Sequence, residues 1–219
     1  MWRAIWRAIF HWFVKLTGVL PYWIACRPKV YYEDKKAQSR KLKGKAIIAP
    51  LHTSVWDVAT VMMVFFWRNP RCVVAELMFE KNPFLSFFLK SLGSVKVDRN
   101  ANDFRFLDSC KKILDKNGVV EIYPESRLPR KGEASPLPFK PSTVYLALQS
   151  GAPIIPVCTN GKLFSKKRTC VMIGKPIDAA ALYDESLSEK ENVNNITKYL
   201  RDKIIELQYE LERKSEKKA

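Results

Sequence analysis

The sequence predicts an α/β fold, a mostly parallel β-sheet covered by helices, with an N-terminal amphipathic helix standing apart from it. Three observations lead there. From Lys45 onward short β-branched runs alternate with longer stretches of helical periodicity, the pattern of parallel strands joined by helical crossovers. The 219 residues are 47% apolar, enough for one substantial core and too apolar for a disordered chain. Residues 1–20 carry their own helical pattern with no strand beside it.

In that first segment Arg3, Arg7, His11 and Lys15 recur every four residues, so on a helix they form one narrow basic stripe. Trp2, Ile5, Trp6, Ile9, Phe10, Phe13, Leu16 and Leu20 cover the rest. Pro21 should break this helix. A second apolar patch, residues 19–26, follows with Tyr22 and Trp23 suited to headgroup depth, and Arg27 and Lys29 close it. The basic interruptions make a poor transmembrane span, and the lack of a small-residue cleavage site argues against a secretory signal. Residues 1–30 therefore read as a monotopic membrane anchor, its basic stripe along the aqueous side and its aromatic rings at the acyl boundary. Docking of the aromatic stripe on the protein's own core is the competing use.

Residues 31–219 form the α/β domain. Strands are expected at 46–49, 72–75, 94–97, 119–123, 154–158 and 169–173, and helices at 55–67, 83–92, 103–116, 142–150 and about 189–213. In the last helix Ile196, Tyr199, Leu200, Ile204, Leu207 and Leu211 share a face that should pack on the domain. Residues 214–219 read as a frayed tail. In a sheet of this kind the reactive loops gather at one end.

The 38 Lys and Arg residues against 22 Asp and Glu give a net charge of +16, which calls for an anionic partner: nucleic acid, acidic lipid or phosphorylated substrate. The lysines cluster at 35–45, 162–168 and the tail with little aromatic interleaving, and no nucleic-acid motif accompanies them. Five scattered cysteines without a C-x-x-C pair argue against a disulfide framework or zinc site and read as buried residues of a reducing compartment. The chain has neither G-x-x-x-x-G-K nor G-x-G-x-x-G, which disfavours nucleotide chemistry.

The densest chemistry lies in His52-Thr53-Ser54-Val55-Trp56-Asp57, where an extended run gives way to a helical one. An imidazole with a partner carboxylate can take a proton from an alcohol, and the only other histidine, His11, lies in the N-terminal segment. The same residues also fit a helix capping box, Ser54-x-x-Asp57, with a purely structural carboxylate.

Three more blocks follow in order: Gly93-Ser-Val-Lys-Val-Asp-Arg99, Val119-Val-Glu-Ile-Tyr-Pro-Glu-Ser-Arg127 and Ala152-Pro-Ile-Ile-Pro-Val157. With His-x-x-x-x-Asp first, the series resembles the bacterial type of the 1-acylglycerol-3-phosphate O-acyltransferase family over roughly 45–176. The resemblance implies a peripheral enzyme on the cytoplasmic side of the cell membrane. It would transfer a fatty acyl group from acyl-CoA or acyl carrier protein to the sn-2 hydroxyl of 1-acylglycerol-3-phosphate, giving phosphatidate without metal or cofactor. His52 would be the general base and Asp57 its orienting partner. Glu125, Ser126 and Arg127 would hold the glycerol phosphate, with Arg99 a second phosphate contact and Asp98 a loop acceptor.

Two departures bear on the acceptor. Family members read Phe-Pro-Glu-Gly-Thr-Arg where this chain has Tyr123-Pro124-Glu125-Ser126-Arg127, one residue shorter with serine for glycine. Glu76 stands about where relatives carry a lysine. Another lysophospholipid or a lyso-aminolipid is thus an alternative acceptor, and a non-catalytic basic module binding nucleic acid or lipid is the rival from outside enzymology.

Overall fold

The computed structural model describes residues 2–98 and 105–216. Seven strands, β1 (Lys29–Tyr32), β2 (Ala46–Pro50), β3 (Pro70–Ala75), β4 (Val95–Val97), β5 (Val119–Glu121), β6 (Ile154–Thr159) and β7 (Cys170–Ile173), form one sheet in the order β1-β7-β6-β2-β5-β3-β4. All neighbours are parallel except β6 and β7. Strands β2, β6 and β7 are buried along their whole length, which is why they read as apolar runs and not as alternation.

The helices are α1 (Trp2–Cys26), α2 (Asp57–Val64), α3 (Glu76–Glu80), α4 (Pro83–Leu92), α5 (Arg105–Leu114), α6 (Ser142–Ser150) and α7 (Glu189–Glu216). Because side chains alternate across a strand, Ile47 and Ala49 enter a core with residues of α5, α6 and α7, while Ile48 enters a second core with Val61 and Val64 of α2. In α7 the residues Val193, Ile196, Leu200, Ile204, Leu207 and Leu211 are buried, but Tyr199 is about half exposed and lies off the expected face. Asp103 and Phe104, the expected start of the third domain helix, lie outside the described residues. Strand β1 was not foreseen, and the boundary expected after residue 30 falls inside it.

Two expectations for the N-terminus are corrected. Helix α1 continues through Pro21, since its last turn is held from outside: Tyr22 and Cys26 are buried against Met63, and at Gly18 a Cβ would meet Met63 Cε at 2.9 Å. Half of the basic stripe also faces inward, while Arg7 is exposed. His11 and Lys15 are fully buried. Lys15 Nζ donates to the carbonyls of Phe66 (2.8 Å) and Arg68 and to Asn69 Oδ1 (2.9 Å), just beyond the C-terminus of α2. Arg71 likewise donates to Leu92 O at the end of α4. Unpaired carbonyls and the negative end of a helix dipole attract cations, which explains the inversion. Burial pulls Lys15 down to about 8 and, with Arg71 second, His11 to about 4. Ile5, Ile9, Phe13, Leu16, Leu20 and Ile24 are left on the outside, near the exposed Phe84 and Phe87 of the adjoining α4.

Candidate active site

Strand β2 lies at the centre of the sheet, between β6 and β5, and its pairing is extended by Leu51 N donating to Val157 O at 2.8 Å. The next residue is His52, at the carboxyl end of a central parallel strand where ligands bind in open α/β sheets. Asp57, 1% exposed, opens α2. Its Oδ2 accepts from the backbone N–H groups of Thr53 (2.6 Å) and Ser54 (2.7 Å) and lies 3.1 Å from His52 Nδ1. Its Oδ1 accepts from Thr53 Oγ1 at 3.0 Å. A carboxylate only accepts, so Nδ1 carries the proton here and Nε2 is the nitrogen left for chemistry.

The capping reading holds in part: Asp57 Oδ2 accepts from Ser54 N as in a capping box, while Asp57 N donates to the carbonyl of Ser54 and not to its hydroxyl. Ser54 Oγ accepts from Trp56 N at 3.2 Å and Trp56, the N-cap residue, makes no side-chain cap. The Asp57 carboxylate clasps the turn that precedes its helix and thereby fixes His52.

Glu125 is buried with both oxygens on backbone donors, Oε1 on His52 N (2.8 Å) and Oε2 on Leu137 N (2.7 Å). Burial raises its carboxyl above the ordinary value, against the pull of those two N–H groups. It ties the His52 turn to the loop that follows β5. Ser126 sits at φ +59°, a left-handed conformation that suits the glycine of related motifs and costs a serine about 1–2 kcal/mol. Arg127 forms a two-pronged pair with Glu133 (Nη1–Oε2 2.6 Å, Nη2–Oε1 3.0 Å), and this pairing draws the Glu133 carboxyl down to about 2. Glu76 is similarly engaged by Lys96 at 2.5 Å. Arg99 lies outside the described residues.

His52 borders a cavity of about 580 Å³ walled by Val58, Val74, Leu77, Met78, Phe106 and Leu128, among others. Its polar lining is Asp98, Ser126, Lys140 and Ser142. Among the described residues Lys140 is the one cation in that wall, and its exposed amine has no acidic partner. Lys140 N donates to Pro124 O at 2.8 Å, which anchors it beside Glu125 in space despite the intervening 14 residues. Lys140-Pro141-Ser142 was not singled out from the sequence; the proline marking the start of a helix was its only signal. All five cysteines are buried, and burial raises the Cys72 and Cys110 thiols, so neither offers a thiolate. No group of three metal-ligating side chains occurs among the described residues.

An imidazole oriented by a carboxylate at the edge of a largely apolar cavity is suited to taking a proton from a hydroxyl of a bound apolar substrate. The Acyltransferase family model matches residues 27–160, and the chain belongs to that family. It is thus an acyltransferase, as the four blocks implied. It is 27% identical to a 1-acyl-sn-glycerol-3-phosphate acyltransferase of Bacillus subtilis over 171 residues, 76% of this chain and 82% of the relative. It is 32% identical to a Limnanthes alba protein of the same name over 129 residues, covering 56% of this chain and 43% of that one. The crystal structure of PlsC, the LPA acyltransferase of Thermotoga maritima, superposes with a TM-score of 0.59 over 90% of this chain and 78% of that one, at 17% identity. That likeness supports the fold.

Proposed function

We propose that this acyltransferase moves a fatty acyl group from a thioester of CoA or acyl carrier protein to the sn-2 hydroxyl of 1-acylglycerol-3-phosphate, giving phosphatidate. The observation that carries the reading is the His52–Asp57 pair at the edge of the apolar cavity. His52 Nε2 takes the hydroxyl proton as the oxygen attacks the thioester carbonyl. The C–O bond forms, the C–S bond breaks, and the imidazolium returns the proton to the departing thiolate. Asp57 holds the imidazole and offsets its transient charge. The thioester is already activated, so the transfer calls for no cofactor.

The names of the relatives support lysophosphatidate as acceptor. Lys140 and Ser142 would supply polar contacts to the acceptor at the cavity, with Ser126 and the Glu125-clamped loop shaping its entrance, Arg127 held in that loop by Glu133, and Arg99 the further phosphate contact that the family resemblance implies. The outward apolar face of α1, with Phe84 and Phe87, would rest in one leaflet on the cytoplasmic side of the cell membrane, the surrounding cations meeting anionic lipid. Residues 1–30 would serve as this anchor and 31–219 as the catalytic domain. A second reading, transfer to another lysophospholipid or a lyso-aminolipid, is favoured by the pairing of Arg127 with Glu133. Thiol release and product mass spectrometry across a panel of lyso-acceptors separates the two: lysophosphatidate turned over fastest supports the first, and its rejection beside an accepted neutral or zwitterionic lysolipid supports the second.

A further inference from the structure

Glu121 ends β5 and is 1% exposed, in the sheet beside the catalytic turn. Its Oε1 accepts the hydroxyl of Tyr123 at 2.5 Å, and the ring of Tyr123 lies against the imidazole of His52, centroids 4.3 Å apart with the planes 36° from parallel. Neither Glu121 nor the Tyr123 hydroxyl takes part in the transfer described above. Two residues apart on an extended segment, the two side chains leave the sheet on the same face, the one that α2 covers.

We propose that Glu121 and Tyr123 form a positioning pair for His52: the Glu121 carboxyl fixes the Tyr123 ring through its hydroxyl, and that ring, packed against the imidazole, fixes its tilt. The inference rests on His52 acting as the general base. Asp57 sets one edge of the imidazole through Nδ1, but a single hydrogen bond leaves the ring free to swing about it. The aromatic contact removes that freedom, and a base must meet its proton within a few tenths of an ångström.

Neutrality follows from the surroundings. The groups that face Glu121 are Tyr123 from the same segment, Cys72 opposite it on β3 and Asp57 of α2, while β2 presents Ile48; no cation is among them. A second buried carboxylate near Asp57 is strongly disfavoured. Burial, opposed by the Tyr123 hydrogen bond and reinforced by Asp57, brings the Glu121 carboxyl up to about 8. At neutral pH the site therefore holds one carboxylate, Asp57, and one neutral acid beneath the ring.

The test compares kcat and KM for acceptor-dependent thiol release in the full-length enzyme on vesicles. Tyr123→Phe keeps the ring but leaves Glu121 unpaired, and should lower kcat about tenfold with KM for donor and acceptor within twofold. Adding Glu121→Leu to it removes the orphaned carboxyl but leaves the ring equally unfastened, so kcat should stay within about threefold of the single variant while thermal unfolding recovers, since deleting both partners of a buried hydrogen bond is nearly neutral for stability. Glu121→Gln keeps the acceptor oxygen but cannot ionise. Its kcat at pH 7 should be near native; the native enzyme should lose kcat as pH rises above about 8, and in Glu121→Gln that fall should move to higher pH with thermal unfolding little changed. A Tyr123→Phe enzyme with native kcat, a double variant whose kcat returns to the native value, or an unmoved alkaline limb in Glu121→Gln overturns the proposal. His52→Ala is assayed alongside: if it is inactive, such results condemn the pair alone, and if it remains active, the base assignment fails instead.

Discussion

Asp57→Asn separates the chemistry of the carboxylate from its fastening role. Rotated so that Oδ1 takes the place of Oδ2, the asparagine still accepts from Thr53 N, Ser54 N and His52 Nδ1, and its NH₂ group faces Thr53 Oγ1, which can accept. The turn and the imidazole tautomer survive, and charge is what is lost. With opposite charges about 4 Å apart at an effective dielectric constant of about 20, the imidazolium formed in the transition state loses about 4 kcal/mol, equivalent to about 10³ in rate. Weakening three hydrogen bonds to a carboxylate should cost a further ~1–2 kcal/mol of stability, a fall in Tm of a few degrees. The assay is acceptor-dependent thiol release at saturating donor, paired with thermal unfolding. A loss of kcat below tenfold, or a variant that is destabilised yet catalytically intact, would mean that Asp57 only secures the turn.

Lys140→Ala should raise KM for lysophosphatidate about tenfold while sparing the donor, whereas Arg127→Ala should shift both little because Glu133 already occupies the guanidinium; the reverse pattern would restore Arg127 as the main phosphate contact. Stability should depend on pH through Glu121. The folded protein binds that proton more tightly than the unfolded chain, so its contribution is full below about 4.5 and is lost as pH rises to about 8. Glu121→Gln removes that slope and should be the more stable protein at pH 7, by at most ~3 kcal/mol, measured by denaturant unfolding across pH 4.5–8.5; an unchanged slope would exonerate Glu121. Replacing Ile9, Phe13 and Leu16 on α1 with serine should free the enzyme from anionic vesicles with unfolding unaltered, and sedimentation of the variant with the vesicles would contradict a membrane role for that face.

The sheet was legible because its central strands are apolar runs bounded by turns, and Ser142–Ser150 and Pro83–Leu92 appear as helices at the very residues their periodicity marks. Edge strand β1 was not, since Lys29-Val-Tyr-Tyr carries too little apolar signal and owes its place to parallel pairing with β7. The orientation of α1 was misread for a definite reason. A basic stripe on an apolar helix suggests water on the basic side, but the sequence does not show that the ends of α2 and α4 would offer bare carbonyls to Lys15 and Arg71. At the site, His52 and Asp57 are local and were legible as a pair. Lys140 was not, because it joins the cavity only through the return of the chain to Pro124. The engagement of Arg127 by Glu133, six residues on, depends on a loop conformation that spacing alone does not encode.

The central claim is that His52 removes the acceptor's proton. Its most direct measurement is the rate of thiol release from an acyl thioester, with and without lysophosphatidate, by His52→Ala protein whose thermal unfolding matches the native enzyme. The expected result is loss of the acceptor-dependent rate by at least 10³-fold with no phosphatidate detectable by mass spectrometry. Phosphatidate formed at near-native turnover by that variant would contradict the claim and move the base elsewhere.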